Sequence, residues 1–373
     1  VGGTGTRWRA VLGLRPAGPR GAWPQSPPDP DALAQAFTQR FHVPPAGVWH
    51  APGRLALMGE HTAVSEGVGL YAALPWGVRV ALGPAEDGKV QAASPEGPLR
   101  ARSATASEVS AAVDRAHRDG VLARGTGVRA VVASDLPAHA SLGHAAALRT
   151  ATALALADLG GAPPPEGADA DERVALVARP GCAVRVNHKN LRTTVLPFDL
   201  AAEDLHLLVA DTGSRPRRGL RRAREDELRR AAGILGPLRA VQDLPAALNR
   251  MPDAGMARRV EYAVTEVHRL NAAVGLLRAD RFGEVGPILS ASHLSLRRFD
   301  LPTPDVDLAA ESASRAGARG VRMSGWRGTA FALVGTDRLE RVRDNTERAF
   351  ADRGPRAPRL RTARAAAGAH RLR

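Results

Sequence analysis

The spacing of apolar positions sorts the chain into helical and extended stretches from residue 29 onward. Asp29-Pro30 reads as an N-cap with proline at the first helical position. Leu33, Phe37 and Phe41 then recur at helical spacing until Pro44-Pro45 ends the pattern. Short apolar runs at residues 55–58, 68–74, 78–82 and 90–93 predict strands, and Val128, Ala130 and Val132 alternate as in a half-buried strand. A helix is predicted from Ser107-Glu108 to about residue 122. Residues 134–159 give a strand end, a proline-marked loop and an Ala/Leu-rich helix, and a short helix is predicted over residues 171–178. After residue 205 the pattern changes. A buried-type strand at residues 205–210 precedes a charged helix at 219–232. A long helix follows, marked by Met256, Val260, Val264, Val267 and Val274. Further helices are predicted at residues 282–296, 304–317 and 337–351, with two strands flanking a turn near residue 326. The mixture predicts an α+β fold in two domains, residues 29–200 and 201–352. They are flanked by a flexible basic arm, residues 1–28, and a disordered basic tail, residues 353–373.

Composition adjusts this picture in three places. A chain of 373 residues has room for two domains, and 44% hydrophobic residues can fill their cores. With aromatics at only 4%, alanine and valine must do much of that filling. No apolar run approaches the roughly 18–20 residues of a membrane span. The N-terminal segment carries Arg7 and Arg9 without a continuous apolar stretch, so a secretory leader is not expected. Cys182 is the only cysteine, which excludes an intrachain disulfide and suits a reducing, cytoplasmic setting. The net charge is +14, yet Lys89 and Lys189 are the only lysines. The arginines are spread along the chain, with local excess at residues 215–230 and 353–373, and no aromatics are interleaved for base stacking. Non-specific adhesion at low salt is expected, and specific nucleic-acid binding is not.

Candidate chemistry begins at residues 51–71, APGRLALMGEHTAVSEGVGLY, where a Pro-Gly turn brings Arg54, Glu60 and His61 beside a short apolar run. An arginine, an acid and an imidazole near one strand end can line a polar site for a hydroxylated substrate. Ordinary surface charges on a strand and turn would give the same pattern. The segment resembles the signature Ala-Pro-Gly-Arg-Val-Asn-Leu-Ile-Gly-Glu-His-Thr-Asp-Tyr of galactokinases, in the GHMP family of small-molecule kinases. Ala51 to Arg54, Leu57 and Gly59 to Thr62 match, whereas Ala56, Ala63 and Val64 replace Asn, Asp and Tyr. The resemblance continues at residues 137–146. The family motif there is Pro-x-Gly-Ala-Gly-Leu-Ser-Ser-Ser-Ala, whose glycines close around nucleotide phosphates and whose serine helps hold magnesium. Pro137, Ala140, Leu142 and Ala146 match; His139 and Ser141 stand for the glycines, and Gly143, His144 and Ala145 for the serines. A third motif, Arg-Met-Thr-Gly-Gly-Gly-Phe-Gly-Gly, is met by Arg322-Met323-Ser324-Gly325-Trp326-Arg327-Gly328 with a shorter loop, and Ser292-His293-Leu294 also resembles the family.

The resemblance implies a two-domain kinase fold with its ligand cleft between the domains. It implies ATP and Mg²⁺ as co-substrate and metal, and a galactose whose anomeric hydroxyl is phosphorylated. Arg54 is then the stabiliser of charge at the reacting hydroxyl, Glu60 and His61 hold sugar hydroxyls, and Ser141, Leu142, Gly143, His144 and Ala145 form a degenerate nucleotide loop. The family's catalytic aspartate lies in Pro-Cys-Gly-Ile-Met-Asp-Gln, followed by helix and strand up to a Val-Pro-Phe-Asp-Leu segment. Aligning Pro180-Gly181-Cys182 and Leu196-Pro197-Phe198-Asp199-Leu200 with those flanks leaves no acid between residues 179 and 198, and Asp199 and Asp211 lie downstream. The expectation is therefore of no catalytic base and of activity lost or strongly impaired. Three readings stay open: a sugar kinase with a rebuilt site, a non-catalytic sugar- or nucleotide-binding homologue, and a decayed copy without a ligand.

Overall fold

A computed structural model of the chain describes residues 23–24, 26–100, 103–137, 140–354 and 357–373. It is an α+β molecule built on two sheets. The larger sheet holds β1 (Gly47–Met58), β2 (Val68–Ala85), β3 (Val90–Ser94), β4 (Gly97–Pro98), β5 (Gly127–Ser134), β6 (Cys182–Asn187) and β7 (Thr193–Pro197). The smaller, antiparallel sheet holds β8 (Leu205–Asp211), β9 (Gly320–Ser324), β10 (Thr329–Gly335) and β11 (Arg359–Ala363), in the order β11-β8-β10-β9. A last strand, β12 (His370–Arg371), crosses back to pair with β1 in the larger sheet.

The two strands expected at residues 68–74 and 78–82 are one. β2 runs unbroken for 18 residues. Pro75 has no N–H for the ladder, so the pairing with β1 shifts register between Pro52 and Arg54 and the strand bends instead of ending. The first half of β2 then serves β6 and the second half serves β5. Arg54 is the first paired residue of β1 after this irregularity, opposite Ala73.

Helices α1 (Pro30–Phe41), α2 (Ala104–Arg118), α3 (His144–Gly160) and α4 (Ala170–Val177) accompany the larger sheet. Asp29 caps α1 as expected, whereas α2 begins a turn earlier than expected because Ser103 caps it. Helices α5 (Leu220–Leu235), α6 (Leu244–Asn249), α7 (Ala254–Arg278), α8 (Val285–Arg298), α9 (Pro304–Arg315) and α10 (Leu339–Ala351) accompany the smaller sheet. No described helix is long and apolar enough to cross a membrane. One apolar core runs through both sheets, because Leu270, Val274 and Leu277 of α7 and Phe331 and Leu333 of β10 join Leu55, Leu70, Val80, Val132 and Leu148.

Both termini correct the sequence reading. Residues 1–22 and 25 of the expected arm lie outside the described residues, but Trp23 is docked. Its ring lies 4.6 Å from that of Trp76, and its indole N–H donates to the Asp135 carbonyl at 2.9 Å. The tail is structured rather than disordered. β11 pairs with β8, and the chain then crosses to the larger sheet. There Ala366 donates to the Ala73 carbonyl, Gly368 to Ala178, Ala369 to Ala175 and Leu372 to Val48. Backbone pairing, which asks little of side-chain pattern, holds this segment in place.

Candidate active site

The site starts from a close approach of backbones. A Cβ on Gly53 would stand 2.6 Å from a Leu136 methyl and 2.7 Å from the Leu142 carbonyl, so only glycine lets β1 lie against the loop before α3. Arg54 N–H then donates to the Leu142 carbonyl at 2.9 Å. The Arg54 guanidinium makes a forked pair with Asp171: Nε and Nη2 each stand 2.7 Å from one carboxylate oxygen, while Nη1 donates to the Ser141 carbonyl at 2.6 Å. Burial alone would lower the Arg54 pKa, but the Asp171 charge and hydrogen bond outweigh it and the pKa rises. Asp171 is in the first turn of α4, where the helix dipole favours an acid. Its side chain is 29% exposed against 14% for Arg54, so the carboxylate is the half of the pair that faces outward. Tyr71 lies beneath, its ring centroid 5.9 Å from Arg54 Cζ and its hydroxyl 3.3 Å from His188 Nε2.

An acid therefore does stand beside Arg54, although the expectation drawn from residues 179–198 was of no catalytic base. The interval searched, residues 179–198, forms β6 and β7 and indeed carries no acid. Asp199 caps a turn at Ala201 N, and Asp211 pairs with Arg359, so neither replaces a base. The signal for Asp171 was the length of the segment. Aligning on Pro180 made the stretch before Leu196-Pro197-Phe198 too short, whereas starting it at Asp171 restores a helix followed by a strand.

Glu60 and His61 lie on a 3₁₀ turn, Glu60–Ser65, entered through left-handed Gly59. Both Glu60 oxygens are taken. Arg322 Nη1 and Nη2 donate at 2.8 and 2.9 Å, and Gly325 N donates at 2.9 Å. Burial would raise the Glu60 pKa, yet the Arg322 charge, followed by His61, holds it well below the usual carboxylate range. Arg322 also reaches Glu266 at 3.1 Å and the Ser292 hydroxyl at 2.8 Å, with Arg322, Glu266 and Ser292 all fully buried. His61 is 1% exposed and neither ring nitrogen has a hydrogen-bond partner; Nε2 lies 3.2 Å from Glu60 but off line. The edge of the Trp326 ring meets His61 at 4.5 Å and 84°, and the Arg221 guanidinium covers Trp326 at 5.5 Å. Trp326 thus packs against His61, one of the two residues expected to hold sugar hydroxyls. His293 is a packed residue, its Nδ1 accepting from Met323 N at 3.3 Å.

The loop before α3 is rebuilt around different atoms. His139 lies outside the described residues. Ser141 takes no left-handed conformation, so a side chain in place of the motif's glycine carries no backbone strain there. The Ser141 hydroxyl instead accepts from Trp326 N at 3.1 Å, and Gly325 makes room for it, since a Cβ there would stand 2.4 Å from that of Ser141. Leu142 is buried in the core. Gly143 carries the left-handed turn at φ 79° and caps α3 without a side chain. The first-turn amides at His144, Ala145 and Ala146 therefore have no capping side chain, no acid accompanies them, and the helix dipole leaves them suited to an anion. Burial lowers the His144 pKa against the pull of Glu108, which favours the neutral imidazole. The fit to Mg²⁺ is poor. Gly143, His144 and Ala145 offer no hydroxyl, Ser141 is occupied, and no cluster of three metal-ligating side chains exists among the described residues.

Comparison with known proteins places these features in context. Residues 35–84 match the galactokinase galactose-binding signature, and residues 273–352 match the GHMP kinases C terminal family. The chain is 33% identical to a galactokinase of Streptomyces coelicolor over 384 aligned positions, covering 91% of this chain and 98% of that protein. It is 33% identical to a galactokinase of Mycobacterium tuberculosis over 359 positions, covering 86% and 97%. Among solved structures, Lactococcus lactis galactokinase complexed with galactose superposes with a TM-score of 0.81 at 21% identity, covering 92% of this chain and 99% of that one. Methanococcus jannaschii mevalonate kinase superposes with a TM-score of 0.61 at 11% identity, over 86% and 98%.

Proposed function

The chain belongs to the galactokinase family of GHMP kinases, and from that premise we propose that it phosphorylates galactose from ATP at the anomeric hydroxyl, in the cytoplasm. The observation that carries the reading is the forked Arg54–Asp171 pair. Loss of activity was expected because the phosphate loop, the magnesium serine and the base all departed from the family pattern, and in this reading Asp171 supplies the base. The sugar hydroxyl attacks the terminal phosphorus; its O–H proton passes to Asp171, an O–P bond forms, and the bond to the departing ADP oxygen breaks. Arg54 remains beside the reacting oxygen as fixed positive charge, and the uncapped amides of α3 face the phosphates. Residues 29–200 then carry the sugar and phosphate loop, and residues 201–352 close the cleft through Arg322, Ser324, Gly325 and Trp326. Magnesium would arrive with the nucleotide phosphates.

A second reading, a non-catalytic sugar- or nucleotide-binding homologue, is favoured by the packing of Trp326 on His61 and by the occupied Ser141 hydroxyl. One experiment separates the two. Galactose-dependent ADP release is measured for the natural chain and for Asp171→Asn, with melting curves for both. The kinase reading expects turnover in the natural chain and a loss of about 10²–10⁴-fold in Asp171→Asn at unchanged melting, the range for a general base. Absence of turnover in the natural chain, with calorimetric binding of galactose or ATP retained, would establish the second reading instead.

A further inference from the structure

Asp171 sits on α4, a helix of eight residues, and a helix that short does not hold its own geometry in water. Its beginning is gripped from outside. Asp169, the N-cap, accepts from Glu172 N at 2.9 Å, and Glu172 reaches back to accept from Ala168 N at 2.8 Å. These two acids flank Asp171 on either side. Arg149 of α3 holds both at once: Nε donates to Glu172 at 2.5 Å and Nη2 donates to Asp169 at 2.8 Å. Its third nitrogen, Nη1, lies 3.5 Å from Glu108 of α2, which fixes the guanidinium plane from the far side. Arg149 is on the same helix whose first-turn amides stand beside Arg54 and the loop at residues 140–143.

We infer that Arg149 is a positioning residue that ties the base Asp171 to the phosphate-facing end of α3, so that proton acceptor and anion seat keep one fixed separation. The inference rests on the kinase reading above for its consequence in turnover, and on the contacts alone for its geometry. Without the guanidinium, Asp169, Asp171 and Glu172 are three acids within four residues. Burial, together with the charges of Asp171 and Glu172, already raises the Asp169 pKa with Arg149 in place. Their repulsion would open the first turn of α4 and carry Asp171 away from Arg54. A lysine at 149 presents one ammonium where two separate carboxylates must be met, so it can serve only one of them well.

The test uses the full chain with Arg149→Met, Arg149→Lys and, as a stability control in the apolar core, Val113→Ala on the buried face of α2. Steady-state kinetics with galactose and ATP are read beside deuterium exchange of the peptide covering residues 168–177. The expected result for Arg149→Met is a kcat lower by about 10–100-fold, the scale of a misplaced catalytic group. Galactose KM should stay within about threefold and exchange at residues 168–177 should be faster. Arg149→Lys should fall between, and Val113→Ala should keep its kcat at an equal or larger loss of melting temperature. Retention of kcat within about twofold in Arg149→Met, or an equal loss in Val113→Ala at matched melting temperature, overturns the inference. If the natural chain shows no sugar-dependent turnover, the kinase reading fails by itself, and the exchange data decide the clamp. Faster exchange confined to residues 168–177 supports it, and unchanged exchange refutes it.

Discussion

Arg322 is a fully buried cation whose partners come from three different elements: Glu60 on the 3₁₀ turn, Glu266 on α7 and Ser292 on α8. With Arg269 donating to Glu266 at 3.0 Å, two guanidiniums balance two carboxylates, and of the four only Arg269 is partly exposed. Such a cluster adds little net stability when whole and costs much when broken. Replacing Arg322 by methionine should therefore destabilise the protein by about 3–5 kcal/mol in urea unfolding; a loss below about 1 kcal/mol would show that the acids find other partners. The same scale separates what the sequence disclosed from what it hid. Arg54, Glu60 and His61 were legible because they occur together in one contiguous motif. Asp171 was not, because its partner lies 117 residues away and an acid in a helical first turn looks like ordinary capping. Glu60 was found for its chemistry and proved to be held in the Arg322 cluster, a partnership that no local pattern announces.

At the scale of elements, the C-terminal segment is the main departure from expectation. Its strand β11 buries only Ala363, and its residues otherwise lie half exposed, so their side chains carry no alternation to read. The backbone does the holding. Beyond β11, Ala366, Gly368, Ala369 and Leu372 donate to Ala73, Ala178, Ala175 and Val48, which fastens both the end of α4 and the edge of β1. At a net of roughly 1 kcal/mol for each hydrogen bond, ending the chain after residue 363 should lower stability by about 3–5 kcal/mol. Exchange mass spectrometry should show faster exchange in α4 and β1 while α9 and α10 stay protected; uniform loosening would mean that the segment acts on the whole core instead. The single long strand β2 was misread for a related reason. Pro75 is a strong breaker in isolation, but it falls in the unpaired stretch between Ala73 and Gly77, and the strand is paired on both edges before and after it.

At the scale of the whole molecule, charge and titration set the working range. His50 is half-buried between His370 and Arg79, and burial, followed by those two charges, lowers its pKa from 6.5 to about 4. The unfolded chain therefore takes up a proton that the folded one refuses. Stability from this group is complete above about pH 6.5 and is lost as the pH falls toward 4. The full effect is at most about 3 kcal/mol. Burial lowers the pKa of His144, His188 and His206 as well, so the acid limb is shared. Urea unfolding at pH 7 and at pH 4.5 should show a marked fall for the natural chain and a smaller one for His50→Gln. An identical fall in both would mean that His50 does not contribute. The α+β class and its two-part order were legible at this scale, since helical and extended periods survive substitution. The continuity of the core across both sheets was not legible, because it depends on where α7 lands and not on its own pattern.

The order in which a chain is made gives the C-terminal segment a further meaning. Residues 359–373 leave the ribosome after every strand and helix that they fasten. Until then β8 lacks its β11 neighbour, β1 lacks its β12 neighbour, and the helix bearing Asp171 is held at its start but not at its end. A nascent chain stopped short of these residues would expose open sheet edges, which are templates for aggregation and for chaperone capture. Synthesis of residues 359–373 is thus coupled to the closing of both sheet edges and of the end of α4, and a product terminated before them is marked by its own unpaired backbone.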